Sequence, residues 1–376
     1  MAIDLSFDEH QLMLQQSAGE FFRRKYPSEA IRAIEAGDLG YSPEDWAEMA
    51  RLGWLGITIP EQYGGGGGRF LDLYPLSVEM GRHLVPSPHL DTVALAVELL
   101  LAVGTDAQRE SLLPRIARGD CLVIPAILEP DGALGPDSIV STATRRDGDY
   151  VVDGTKVLVP FARSADLFVC PVCIGSGDVS LLLVDARADG ISIEPLRNIA
   201  GHALSVVRFD GVATPAGHLL GTEGGGWEPL REAVLKAAVL QTAIIVGAAQ
   251  AVLAMTNQYA KDRVQFGHPI GQYQAVQYLV TDILVDLHRA DLLARQAAFR
   301  IDAGKPFARE AAIAVAFGKR AAAHLHRQAH EVHAGVAFID EHDLQLYSRR
   351  SKFWENHLGD ARFYEELVAD ALLWRR

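Results

Sequence analysis

WEPLREAVLKAAVLQTAIIVGAAQAVLAMTNQYAKDRVQFGHPI, residues 227–270, is the segment on which the architecture turns. Its stretch from Val234 to Met255 is apolar enough to suggest a membrane span, but Lys236, Gln241, Thr242 and Gln250 interrupt it. A long apolar helix carrying such groups is read as one buried among other helices. Helical periodicity over 281–303 and 307–334 supplies two further long helices. Long antiparallel neighbours are how such helices bury their apolar faces, so the C-terminal part, residues 223–376, is expected to be a helical bundle.

Upstream the pattern changes. Between residues 121 and 222 β-branched runs take over, at Cys121–Leu128, Tyr150–Val152, Lys156–Val159, Leu167–Cys173, Val179–Val184, Ile191–Pro195 and Val206–Phe209. Asp147-Gly148 and Asp153-Gly154 between them predict hairpin turns, hence a small antiparallel sandwich or barrel. Residues 1–120 return to helical spacing, with Ser6-Phe7-Asp8-Glu9 as a capping box and Ser42-Pro43-Glu44-Asp45 as a second helix start. The class is α+β, in the order α, β, α.

Composition narrows the function. The chain has 376 residues, 49% hydrophobic and 22% charged, enough for a large core and too apolar for disorder. A net charge of −13 argues against a nucleic-acid or membrane-surface role, both of which favour basic patches. Met1-Ala2-Ile3-Asp4 lacks a basic region followed by an apolar run, and the three cysteines are an odd number. Both features predict a reducing, cytoplasmic setting. Cys170-Pro-Val-Cys173 lies in a strand-like run with no second pair and reads as strand core. The glycine run Gly64–Gly68 lacks the Lys-Ser/Thr of a phosphate loop. His324 with His326, and His330 with His333, are two and three apart on a helix with Arg and Gln neighbours, and no metal site is expected. Arg263, at a helix C-terminus, either stabilises the helix dipole or offers a planar cation to a phosphate.

Five segments in order then resemble the acyl-CoA dehydrogenase family over essentially the whole chain. They are Gly53-Trp54-x-Gly56-x-x-Ile59-Pro60-Glu61-x-Tyr63-Gly64-Gly65; Glu129-Pro130; Gly154-x-Lys156 with Ala165-Asp166; Arg263-x-x-Phe266-Gly267-x-Pro269-Ile270 with Gln274; and the Gly335 segment leading to Glu341-His342-Asp343-Leu344-x-Leu346-Tyr347-x-Arg349-Arg350. The resemblance implies an N-terminal α-helical domain, a middle β domain and a C-terminal four-helix bundle. It also implies FAD lying between subunits and α,β-desaturation of an acyl-CoA thioester. A carboxylate takes the α-proton, a hydride leaves the β-carbon for the flavin, and hydrogen bonds steady the thioester oxygen. By the same resemblance Arg263, Phe266, Gln274 and Gly335 face the FAD of a partner chain, while Ile127 and Leu128 lie along the chain's own flavin.

The chain departs from the family at the base. The helix position 26 residues before Arg263 is Ala237, and the C-terminal position is Leu358 where the family has Glu. Glu232 precedes Ala237 by five residues, about 140° round the helix, and Glu355 precedes Leu358 by three, about 60° round. These two are the fallback candidates, and losing a general base costs about 10²–10⁴-fold in rate. Leu128-Glu129-Pro130-Asp131-Gly132-Ala133-Leu134 and Leu158-Val159-Pro160-Phe161 also lack the hydroxyls and the aromatic wall expected beside a flavin. Glu331 stands where the family has Gln on the cross-subunit side. An eroded site of its own with a kept Arg-Phe-Gln set resembles the base-less chain of actinobacterial α2β2 heterotetramers, used on steroid side chains and other bulky acyl-CoAs. Two alternatives stand beside that expectation: a self-sufficient homo-oligomeric dehydrogenase with a displaced base, and a flavin-free binding protein on the same fold.

Overall fold

The computed structural model describes residues 5–175 and 177–373. Helix α1 (Glu9–Lys25) is capped by Asp8, whose carboxylate accepts from the Gln11 amide while the Gln11 side chain returns to the Asp8 amide. The capping box therefore falls two residues later than Ser6, because Asp8-x-x-Gln11 satisfies both orphan donors. Helices α2 (Ser28–Ala36) and α3 (Pro43–Arg51) follow, α3 with Ser42 as cap and Pro43 in its first turn as expected. The glycine run folds back on its own chain. Gly66, Gly67 and Gly68 donate to the carbonyls of Gly56, Ile59 and Ile57, and a Cβ on Gly65 would lie 2.1 Å from the Ile59 carbonyl oxygen. Helix α4 (Leu73–Arg82) is buried, a π-helical turn occupies Leu90–Ala96, and α5 (Val97–Val103) and α6 (Asp106–Ala117) close the helical part.

The middle of the chain forms β1 (Val123–Pro125), β2 (Thr142–Arg146), β3 (Asp149–Pro160), β4 (Leu167–Ile174), β5 (Val179–Asp185), β6 (Ile191–Leu196), β7 (Leu204–Thr214) and β8 (Leu219–Leu220). They make one sheet in the order β6-β7-β3-β2-β4-β5-β8, with β1 beside β4. Most pairs are antiparallel, but β1–β4 and β2–β4 are parallel. Asp147 and Gly148 make the β2–β3 turn with φ of 53° and 95°. Asp153-Gly154 does not turn, contrary to expectation. It sits inside the single long strand β3 at a bulge, where a Cβ on Gly154 would lie 2.1 Å from the Ser141 hydroxyl. Glycine here serves close backbone approach rather than chain reversal. Cys170 and Cys173 lie on β4 as free thiols.

Helix α7 (Trp227–Asp262) is the 36-residue helix on which the rest is built, and 67% of its most apolar window is buried inside the protein. It crosses α4 at two glycines. A Cβ on Gly81 would lie 1.8 Å from the Ile244 carbonyl oxygen, and one on Gly247 would lie 1.7 Å from that of Val78. Helices α8 (Gln274–Asp302) and α9 (Ala308–His333) run beside α7, and α10 (Leu344–Trp354) and α11 (Ala361–Leu373) pack on α9. Among the described residues the region after residue 223 holds five α-helices, α7 to α11.

Candidate functional site

Two sequence motifs meet in the β domain as one buried ion pair. Lys156 of β3 is fully buried and donates to Glu129 at 2.7 Å and to the Pro171 carbonyl at 2.6 Å. Glu129 also accepts from the amides of Val140 and Ser141. Burial alone raises its carboxyl, but the Lys156 ammonium and these donors outweigh burial and hold it below the ordinary value. This pair fixes Ile127-Leu128 against β3, where the Val157 amide donates to the Leu128 carbonyl at 2.8 Å.

Ile127, Leu128 and Val157–Pro160 form one wall of a pocket whose other wall is Asp91, Leu95, His357 and Leu358. The space between them is about 20 Å³, room for a single water. Leu358 lies in this wall with φ of 60°. Ala237 is fully buried in α7. Glu355 is turned to Ser351 and Lys352, both at 3.0 Å, and Glu232 is exposed and pairs with Lys236 at 3.3 Å. Neither glutamate lines the pocket.

The groups that do meet there carry no motif that marks them in the sequence. Asp91, on the π-helical turn, is 3.6 Å from His357 Nε2. Gln241 Nε2 lies 2.9 Å from His357 Nδ1, and Gln241 Oε1 accepts from Lys319 at 3.0 Å. Burial pushes the Asp91 carboxyl up to about 7, the His357 imidazole down to about 3 and the Lys319 ammonium down to about 7. The lysine set among the alanines of α9 is the one local signal that could have pointed to them.

At the far end of α7 the chain presents a different face. Arg263 ends the helix, and β9 (Val264–Gln265) and β10 (His268–Pro269) form a hairpin whose turn, Phe266-Gly267, has φ of 54° and 84°. A hairpin makes the connection from α7 to α8. Phe266 is 92% exposed. The Arg263 guanidinium and the Gln274 amide, the latter at the start of α8, have no side-chain partner among the described residues. Gly335 is exposed, and a Cβ on it would meet nothing within 4 Å. It is tied to the same end by His333, which stacks on Tyr259 at 4.5 Å. Arg263, Phe266 and Gln274 are thus brought together on one outward arm, while Ile127 and Leu128 lie inside a closed wall. Among the described residues no group of three His, Cys, Asp or Glu could hold a metal.

The space beside Ile127 and Leu128 holds about one water, and Arg263, Phe266 and Gln274 are exposed on the outward arm. Known proteins resemble the chain at both ends and across its whole length. Residues 8–120 match the acyl-CoA dehydrogenase N-terminal domain, and residues 224–373 match the C-terminal domain. The chain is 27% identical to an acryloyl-CoA reductase (NADH) of Anaerotignum propionicum, over 99% of this chain and 97% of that protein. Among solved structures it is similar to the ChsE4-ChsE5 complex from Mycobacterium tuberculosis, with a TM-score of 0.91, 25% identity and 99% of each chain covered. It is also similar to a Tcur3481-Tcur3483 steroid ACAD variant, with a TM-score of 0.87, 26% identity and 97% and 98% of the two chains covered.

Proposed function

The chain belongs to the acyl-CoA dehydrogenase family, FAD-dependent oxidoreductases of acyl-CoA thioesters, and on that premise we propose that it is the supporting subunit of a mixed oligomer. It lends Arg263, Phe266 and Gln274 to the FAD of a partner chain that carries the glutamate. One observation carries this reading: the outward arm keeps the family's residues, whose side chains have no polar partner among the described residues, whereas both glutamate positions are apolar, at Ala237 and Leu358. A bound flavin would supply the hydride acceptor for the β-carbon. What this chain adds is a fixed cation for the diphosphate, an aromatic face and an amide. One neighbour among solved structures is the ChsE4-ChsE5 complex, and another is a Tcur3481-Tcur3483 steroid ACAD. A bulky acyl-CoA, of the size of a steroid side-chain thioester, is accordingly the proposed substrate of the assembled oligomer.

A second reading has one observation in its favour. Asp91 places a carboxyl in the chain's own pocket, and a carboxyl near neutrality is suited to proton transfer. It would make the chain self-sufficient.

Co-expression with a base-carrying member of the family, followed by a flavin spectrum, separates the two. The supporting role predicts a colourless chain alone and a yellow complex. It also predicts that Arg263→Ala weakens FAD retention of that complex by roughly tenfold or more, as loss of a charge-assisted contact to phosphate does. A chain purified alone that is yellow and is bleached by an acyl-CoA would sink the supporting role, as would a complex whose flavin ignores Arg263→Ala.

A further inference from the structure

We propose that two copies of this chain pair through helix α8, antiparallel about Val285, so that like sits against like. The pairing goes beyond the supporting role and holds without it.

Helix α8 is apolar on two sides, where a surface helix needs only one. Its inward side, Ile283, Leu287, Ala290, Ala294 and Ala297, is buried, and α7 and α9 pack along it. Its outward side carries Tyr278, Val285 and Leu292. Spacing by seven residues puts them on one stripe, with a drift of about 20° per step. Tyr278 is 62% exposed and Leu292 56%, with Val285 exposed between them. The N-terminal part of the chain bonds α8 toward its other end, where Tyr74 donates to Asp291 and the Leu71 amide to Asp302. Scattered surface apolar residues need no explanation. A row at seven-residue spacing is the seam by which helices pair.

Charge selects the occupant. Asp282 stands three residues before Val285, and His288 and Arg289 stand three and four after it. All three are exposed, and none is in an ion pair among the described residues. Asp282 lies about 60° to one side of Val285 and His288 about 60° to the other. A two-fold axis through Val285 therefore sets Asp282 of one copy against His288 of the next, with Arg289 beside it. Tyr278 meets Leu292 at both ends, and Val285 meets itself. A parallel pair would instead oppose Asp282 to Asp282 and Arg289 to Arg289, which like-charge repulsion disfavours. The pattern reads the same from either end. Self-pairing requires that symmetry, and pairing with a different chain does not.

The antiparallel arrangement also spaces the arms. Gln274 begins α8 eleven residues before Val285, so the two arms lie at opposite ends of the pair, roughly 33 Å apart. Each arm is left free for its own base-carrying partner, and the mixed oligomer gains two of each chain.

Equilibrium sedimentation of the full chain at micromolar concentration tests the pairing. The wild-type chain alone should contain at least two copies. Val285→Glu sets two carboxylates face to face and should weaken association by roughly tenfold or more, with an unchanged circular dichroism spectrum because the position is exposed. Asp282→Lys should weaken it by roughly threefold or more at low salt, and Asp282→Lys/His288→Asp should restore it. Val285→Cys should cross-link to a second copy on oxidation, since a residue on a two-fold axis faces itself, whereas Thr281→Cys should not. A monomeric wild-type chain overturns the pairing, as does a Val285→Glu chain that associates like wild type. Cross-linking of the Val285→Cys variant no faster than Thr281→Cys, or to a co-expressed base-carrying chain instead, also overturns it. Arg263→Ala should leave association of the chain alone unchanged, so failure of the shared flavin site and failure of the pairing are told apart.

Discussion

Ala237 and Leu358 are where the functional reading stands or falls among single residues, and their surroundings explain why a carboxylate is hard to put back. Ala237 is fully buried where α7 meets the N-terminal helices. A Glu there would be oversized and uncompensated, so Ala237→Glu should cost about 3 kcal/mol or more in urea unfolding and restore no acyl-CoA-dependent flavin reduction. A variant that is as stable as wild type and active would show that only the base, and not the pocket, had been lost. For the two fallback glutamates the sequence offers only a helical angle. That angle puts Glu355 on the better face, yet its carboxylate turns to Ser351 and Lys352. Angle predicts a face of a helix; it does not predict which neighbour claims the side chain.

Elements show the opposite balance. Along the chain the β-domain motifs are separate fragments, and the sheet joins Glu129 to Lys156 in one ion pair with side chains 2% and 0% exposed. Removing one partner of a buried pair leaves the other charge stranded. Lys156→Met should therefore cost about 3–5 kcal/mol, and the double variant Lys156→Met/Glu129→Leu distinctly less than that, both read from the urea midpoint. Equal losses in the single and double variants would mean that packing, not charge, sets the cost. Legibility among elements follows locality. The Ser42 cap and the Asp147-Gly148 turn are legible because each depends on residues within a few positions. Asp153-Gly154 misleads because its geometry is imposed by Ser141, across the sheet.

The whole molecule carries a pH signature. Burial is the leading cause that lowers His83, His89 and His326 to about 4 and His357 to about 3. A folded value below the unfolded one, about 6.5, means the unfolded chain binds more protons between the two. Stability from these four groups is complete above about pH 6.5 and is lost as pH falls toward 4. Asp91 works the other way. Its folded value of about 7 lies above its ordinary 3.8, so its contribution shrinks as pH rises from 3.8 to 7. His202, His330 and His333 are lowered too and Asp302 is raised, so lowered imidazoles outnumber raised carboxyls and predict a melting temperature that falls steadily from about pH 7 to about pH 4.5. A flat profile over that range would show that these imidazoles charge without unfolding the chain.

Three things are written in the chain itself: the order of helical, sheet and helical parts, the family, and the apolar residues Ala237 and Leu358. All three reside in local periodicity and in motifs whose residues are near one another along the chain. The buried polar cluster is a product of folding. Asp91, Gln241, Lys319 and His357 are far apart in sequence and meet only because the π-helical turn, α7, α9 and the end of α10 converge. In the same way, only the folded hairpin shows that Phe266 faces outward and that Arg263 has no side-chain partner of its own among the described residues. The physical reason is common to both. Burial and hydrogen-bond pairing belong to the space between elements, and a sequence pattern fixes an element's face without fixing what comes to lie against it.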